Sequence, residues 1–413
     1  MKISNIEIKN FKSFKNISIN LNDFNVVVGP SASGKSNFIE AFKFLKDISE
    51  DFENGILNHG GVFFQNFNCD KKVPSCIKAT IGEDKAFVEI PHPIKINNKE
   101  IMTKIYYTSI DYELCINFKS NEIEFITETV KFNFNINDDE SNDLLSKNTL
   151  YLRNNDGVIS AEFENNDEYV DLEFFVPKSL LNIVNNNFKE NKGLLINSPL
   201  SVIPISWSNY FKEINVYNFD PYMSKMSRFK GNSIISEHGE NLAFVLDRIL
   251  SNKEDKRKFL NLVSILLPYV KDIEINKISD DKKIFNLIES YNELPIFAPF
   301  VSDGTTNILA LICALYFTKS NAILIEEPER NIHPGLLIQL VGMMKEVSSL
   351  DKQIIITTHS PEILNNCNLD DIIFISRDND GFSILSEPAD NKDVKEFIKE
   401  LSIGELFIEG CLE

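Results

Sequence analysis

The strongest constraint on this chain is the octapeptide Gly29-Pro30-Ser31-Ala32-Ser33-Gly34-Lys35-Ser36, an unbroken G-x-x-x-x-G-K-S. Its glycines let consecutive backbone N–H groups wrap a phosphate chain, and a helix starting behind them adds the positive end of its dipole. The motif carries that meaning only between a strand and a helix. Both are legible. Phe24-Asn25-Val26-Val27-Val28 is a buried-strand pattern, and Phe38, Ile39, Ala41, Phe42 and Leu45 recur at helical spacing. Lys35 is placed to reach β- and γ-phosphates, and Ser36 to ligate Mg²⁺.

The charge balance at first points away from phosphates. Forty-two Lys and Arg against 61 Asp and Glu leave the 413 residues with a net charge of −19. That argues against a protein that coats nucleic acid over its whole surface, while leaving room for a local basic groove. The length allows two or three domains. No apolar run reaches the ~18–20 residues of a membrane span, and the alternating N-terminus has no signal-peptide pattern. The cysteines Cys69, Cys76, Cys115, Cys313, Cys367 and Cys411 form no C-x-x-C pair. They are expected as reduced thiols in a cytoplasmic protein.

Along the chain, residues 3–8 and 17–21 read as two short strands linked by residues 9–15. From about 72 to 135 the pattern is β, with hairpins expected from 105–118 with 123–134 and from 151–153 with 158–163. Residues 135–148 are polar and acidic and read as a solvated loop. Helical patterns dominate from 178 to 290, most clearly at 241–250 and 255–267. The last third predicts helices at 305–317 and 335–348 and buried strands at 322–325 and 353–358. Strands alternating with helices suggest a parallel sheet.

Three more constellations follow the phosphate loop. Ala322-Ile323-Leu324-Ile325 opens onto Glu326-Glu327-Pro328-Glu329, so the acids begin where the strand stops. Glu326 is placed to hold Mg²⁺ through water, and Glu327 to orient and polarise an attacking water. An acidic loop facing solvent is the plain alternative. Val301-Ser302-Asp303-Gly304-Thr305 leads into an apolar helix, where Ser and Gly present hydroxyl and N–H groups to an anion or simply cap the helix. The strand Gln353-Ile354-Ile355-Ile356-Thr357-Thr358 ends at His359-Ser360-Pro361. His359 reads either as a donor to the γ-phosphate or as a structural histidine.

In this order the four resemble the Walker A, signature, Walker B and switch-histidine motifs of ABC-type ATPases. Ile8-Lys9-Asn10-Phe11-Lys12-Ser13-Phe14 resembles the first strand of the RecF, SMC and OLD-like branch. The Ser302 and Glu326 motifs look most like those of OLD-like AAA-type ATPases from bacterial defence and abortive-infection loci. The resemblance covers residues 1–66 and 293–413, and more loosely 216–250, while 136–213 match nothing. It implies an α/β fold: an ABC-type P-loop ATPase head with a mixed β-sheet, an inserted β-rich region and a helical lobe. The expected boundaries are 1–66 for the N-terminal lobe, 67–213 for the insertion, 214–292 for the helical lobe and 293–413 for the C-terminal lobe.

The same resemblance implies ATP and Mg²⁺ as cofactors. It implies nucleotide contacts from Gly29, Ser31, Ser33, Gly34, Lys35, Ser36 and Asn37, and catalytic roles for Lys35, Glu327 and His359. Metal contacts fall to Ser36, Glu326 and Gln65, the last being the sole glutamine before the signature. ATP would be sandwiched in a head-to-tail homodimer, with Ser302 and Gly304 of one subunit meeting the γ-phosphate held by the other. Glu326 departs from the Asp usual at that Walker B position. No Toprim-like nuclease domain is expected after His359, which assigns any nuclease activity to a separate partner.

The expected function is an ATP-gated dimeric switch that senses phage or nucleic acid and controls a separate effector in bacterial defence. The alternative is a RecF-like DNA-repair ATPase binding duplex DNA directly, supported by Lys225, Arg228 and Lys230. A transporter motor fits poorly, because the insertion between Walker A and the signature is far too long. The expected partners are a second copy of the chain (or more), a protein effector and possible nucleic acid, with no membrane.

Overall fold

The N-terminal stretch forms β1 (Ile3–Phe11), β2 (Phe14–Asn20), β3 (Phe24–Val28), α1 (Lys35–Glu50) and α2 (Phe52–Asn58). The middle supplies β4 (Ser75–Ile81), β5 (Thr103–Lys119), β6 (Glu122–Asp138), β7 (Leu144–Asn155) and β8 (Val158–Asn165). Then come β9 (Ile214–Tyr217), α3 (Pro221–Lys225), α4 (Leu242–Ser251), α5 (Lys253–Leu266), β10 (Val270–Ser279), β11 (Lys282–Glu289) and β12 (Ile296–Phe297). The C-terminal third adds α6 (Asp303–Phe317), β13 (Ala322–Glu326), α7 (Pro334–Leu350), β14 (Gln353–Thr358), α8 (Pro361–Leu364) and β15 (Ile372–Arg377). This computed structural model describes residues 2–61, 73–82, 87–89, 94–96, 99–119, 122–165, 196, 207–226, 234–279, 282–292, 294–350 and 352–412. Gln65, Arg228 and Lys230 lie outside them, so the proposed metal glutamine and two of the three cations of the basic stretch have no described position.

The chain divides into two compact units, one of residues 1–21, 40–213 and 377–385, the other of 22–39, 214–376 and 386–413. The first contains an antiparallel sheet in the order β8-β7-β6-β5-β4-β1-β2. Its strands alternate in burial with the period of two that places successive side chains on opposite faces. Val130, Phe132, Phe134 and Ile136 of β6 and Tyr112, Leu114 and Ile116 of β5 are buried. β7 and β8 meet in a two-residue turn at Asp156-Gly157, both with positive φ (48° and 87°), the geometry that favours Asp-Gly in hairpins.

Three expectations change in this unit. Residues 9–15 are mostly strand, because β1 and β2 close on the two-residue turn Lys12-Ser13 (Phe11 opposite Phe14), with Lys12 at φ 48°. Residues 135–148 are not a solvated loop. β6 and β7 run through most of that stretch and leave residues 139–143 between them. Ser146 and Asn148 are buried there, and Asn148 Nδ2 donates to Ser146 Oγ at 2.8 Å. The cysteines are not all reduced: Cys76 and Cys115 face each other across β4 and β5 and form a disulfide.

The second unit is built on a parallel sheet in which β9-β13-β14-β3-β15 are neighbours. β3 and β14 are buried along their whole length, and β13 everywhere but at Glu326. Such strands need apolar side chains on both faces, hence the near-continuous Val and Ile runs. α6 is buried on nearly all sides, from Thr305 to Leu315. The helices expected at 241–250 and 255–267 are α4 and α5, and Asn252 caps α5 by accepting from the backbone N–H groups of Glu254 and Asp255. The expectation of helix up to 290 is wrong: β10, β11 and β12 form a three-stranded antiparallel sheet. β9, placed by sequence in the helical lobe, instead pairs in parallel with β13.

Candidate active site at the carboxyl ends of the parallel strands

β3 delivers the chain into the phosphate loop, where Ala32 (φ 60°) and Gly34 (φ 119°) take left-handed backbone. Gly29 has a separate reason to be glycine. A Cβ there would lie 2.0 Å from the carbonyl oxygen of Ile375, which is backbone and cannot step aside. α1 begins at Lys35, so the unpaired N–H groups of its first turn border the loop. Lys35 is buried, and its Nζ donates to the carbonyls of Gly29 and Pro30, each at 2.8 Å. Burial pulls its pKa down to about 8, opposed by the charge of Glu327. Of the remaining loop residues, Ser31 is exposed, Ser33 buried and Asn37 half-buried.

Across from the loop, Ser36 Oγ donates to Glu326 Oε2 at 2.9 Å. The hydroxyl and carboxylate proposed to share a metal are therefore already adjacent. Glu327 follows with φ 46°, a strained conformation for a non-glycine residue, held by its N–H bond to Thr357 O at 2.9 Å. Its carboxylate stands between two cation-capable groups. Oε1 lies 3.7 Å from His359 Nε2, and Oε2 pairs with Arg330 Nη2 at 2.9 Å. Arg330 is in turn steadied by Asn218 Oδ1, 3.2 Å from Nη1. Burial lowers the His359 pKa, the charge of Lys35 lowers it further, and Glu327 opposes both. The lowered pKa favours the neutral imidazole, which has one N–H to donate.

The third acid turns the other way. Glu329 Oε1 accepts from Thr358 Oγ1 at 2.6 Å and from the backbone N–H of His359 at 3.2 Å. Burial raises its proton affinity, the bonds from Thr358 and His359 lower it, and the charge of Glu327 raises it.

At the signature, Ser302 Oγ accepts from the N–H of Thr305 at 3.1 Å, so the N-cap reading of this residue holds. Asp303 pairs with Lys225 at 2.5 Å. Gly304 packs so tightly that a Cβ would sit 2.3 Å from Asn331 O, and Asn307 Nδ2 donates to Arg330 O at 2.8 Å. The structure brings Lys35, Ser36, Glu326, Glu327 and His359 into one site. Ser302 and Gly304 bond and pack instead against their own helix and the loop after Glu327. Sequence reasoning missed Arg330 as a neighbour of Glu327. The spacing of Arg330 from Glu327, three residues on in a turn, was the one available signal.

Residues 1–364 match the family model described as AAA ATPase domain. This chain belongs to that family. The family is one of ATPases, and Lys35, Ser36, Glu326, Glu327 and His359 all lie within the matched residues. The Old nuclease of Escherichia phage P2 is 24% identical over 400 residues, 92% of this chain and 60% of that protein. Endonuclease GajA of Bacillus cereus is 51% identical over 47 residues, 11% of this chain and 8% of that protein. The chromosome partition protein Smc of Methanococcus voltae is 31% identical over 126 residues, 25% of this ATPase and 10% of Smc. The matched stretch therefore spans no more than 60% of any of these relatives. Among solved structures, the SMC head domain from Thermotoga maritima superposes with TM-score 0.42 at 16% identity, covering 94% of this chain and 99% of that one.

Proposed function

We propose that this ATPase is an ATP-gated dimeric switch that controls a separate effector in bacterial defence. The observation that supports it most is the seating of Glu327 between His359 and Arg330, beside the joined pair Ser36 and Glu326. Two hard oxygen donors 2.9 Å apart suit Mg²⁺, which prefers few protein ligands and keeps its waters. Bound there, the metal would neutralise charge on the β- and γ-phosphates. Lys35 would exchange the carbonyls of Gly29 and Pro30 for phosphate oxygens, whose charge favours its protonated form. Glu327 would orient and polarise the attacking water, and neutral His359 would donate to the γ-phosphate. Glu327 must first give up Arg330, so the resting geometry is a restrained one.

Ser302 and Gly304 are assigned to the nucleotide of a second copy. Two relatives bear nuclease names, which supports a role beside nucleic acid, and the effector is inferred to do the cutting. Direct duplex binding is less favoured, since Lys225 of the basic stretch is committed to Asp303. No helix among the described residues is long and apolar enough to cross a membrane. The test is Glu327→Gln, read by mass in solution with and without ATP and by phosphate release. Dimers should accumulate with ATP while turnover falls at least ~100-fold. Unchanged turnover sinks the assignment, and a monomer at all ATP concentrations sinks the switch.

A further inference from the structure

Glu329, half-buried, is the acid of the Glu326-Glu327-Pro328-Glu329 run that bonds to the end of β14. We propose that it is a positioning residue: it ties the turn bearing Glu327 to the end of β14 and sets the place of His359. This rests on reading Glu327 and His359 as the hydrolytic pair. Three bonds define the tie. The N–H of Ser360 donates to Thr358 Oγ1 at 2.9 Å, Thr358 Oγ1 donates to Glu329 Oε1 at 2.6 Å, and the N–H of His359 donates to the same oxygen at 3.2 Å. Residues 358, 359 and 360 are thereby all referenced to one carboxyl oxygen. The other oxygen, Oε2, is buried and has no hydrogen-bond partner among the described residues. A buried, half-satisfied carboxyl beside a second acid is costly. An apolar residue would fill the same space more cheaply, so stability alone does not explain its presence.

The tie matters because His359 Nε2 is already 3.7 Å from Glu327 Oε1. Both groups leave the ends of neighbouring parallel strands, paired at Glu326 with Thr357, and diverge after that register. Beyond the last ladder pair, the Glu327 N–H bond to Thr357 O and the Glu329 bonds hold the two loops together. Displacing a reacting group by about 1 Å costs on the order of 100-fold in rate. Ground-state nucleotide binding, carried by Lys35 and the loop amides, should be indifferent to the tie.

The experiment compares steady-state ATP hydrolysis by the full chain and its variants. Glu329→Ala should lower kcat roughly 10- to 100-fold with KM for ATP within about twofold. Glu329→Gln, whose amide oxygen can accept the same two bonds, should recover most of kcat. Glu329→Ala combined with His359→Ala should be no slower than His359→Ala alone, because the residue acts through the histidine. If Glu329→Ala does not fold, Thr358→Val removes one donor and should show a smaller kcat loss, again with KM unchanged. The inference is overturned if Glu329→Ala or Thr358→Val keeps wild-type kcat, if KM absorbs the loss, or if the double variant falls well below His359→Ala. Glu327→Gln separates the two levels. If it abolishes turnover while the Glu329 and Thr358 variants do not, only the tie is wrong. If it leaves turnover intact, the hydrolytic pair is wrong and the tie falls with it.

Discussion

At the scale of single residues, the carboxylates divide by surroundings rather than by type. Glu326 meets a hydroxyl, Glu327 an arginine and a histidine, and Glu329 two donors from the switch strand. The same principle operates in the other unit at His59. Its side chain is buried, with Nδ1 2.9 Å from Glu40 Oε2 and Nε2 3.1 Å from Asp47 Oδ2. Burial opposes its charge, but hydrogen bonds to Asp47 and Glu40 outweigh that and raise its pKa above 6.5. Glu40 is likewise opposed by burial, yet His59 and Lys12 hold it down at about 2. A raised histidine contributes stability that is complete below its unfolded pKa and fades as pH rises through the folded value. The Glu40 contribution is present above about 4.5 and fades as pH falls toward 2. Urea midpoints should therefore fall between pH 6 and pH 9 more steeply in the wild type than in His59→Gln. Parallel curves would dismiss the charged cluster.

At the scale of elements, the coupling between α6 and the loop after β13 is the feature with most consequence. Gly304 packs so close to the carbonyl of Asn331 that a Cβ would lie 2.3 Å from its oxygen, and Asn331 itself has φ 63°. Gly304→Ala should force the two apart, costing about 1–3 kcal/mol of stability. ATP turnover should fall with it, because Arg330, bonded by its carbonyl to Asn307, holds Glu327. Thermal unfolding and phosphate release measure the two effects, and a wild-type melting point would refute the clash. Elements with one strong signal were legible: β3, β14, α4, α5 and α6 lie within one to two residues of their sequence-based limits. β10 and β11 were not. Their lysines interrupt the apolar alternation, as in Lys277, Lys282 and Lys283, and a strand that owes its register to a partner leaves a weak imprint on its own sequence.

At the scale of the whole chain, segments far apart in sequence supply neighbouring parts. β3 lies between β14 and β15, so the phosphate loop stands beside His359 across more than 300 residues. The disulfide acts over a shorter range. It links residues separated by 39 positions, and on chain-entropy grounds it stabilises its unit by up to about 4 kcal/mol. Cys76→Ser with Cys115→Ser should lower the melting temperature, and adding dithiothreitol should do the same to the wild type but not to the double variant. Alkylation before and after reduction should differ by two thiols, and equal counts would show that the bridge does not form in solution. The charge of −19 also finds its place here. It is spread over the chain, while the proposed phosphate chemistry rests on Lys35, backbone amides and the paired oxygens of Ser36 and Glu326.

What the sequence determined by itself was local and chemical. A G-x-x-x-x-G-K-S loop admits few backbone conformations, and a fully apolar strand can only be buried, so both announce themselves within a dozen residues. The acids at the end of β13 and the histidine at the end of β14 were readable for the same reason. Only the tertiary structure decided which groups meet. Arg330 on Glu327, Glu329 under His359, Asn331 against Gly304 and Cys76 opposite Cys115 all depend on strand register and loop approach. Those are set by packing between distant segments, and no window of sequence contains both partners of such a contact.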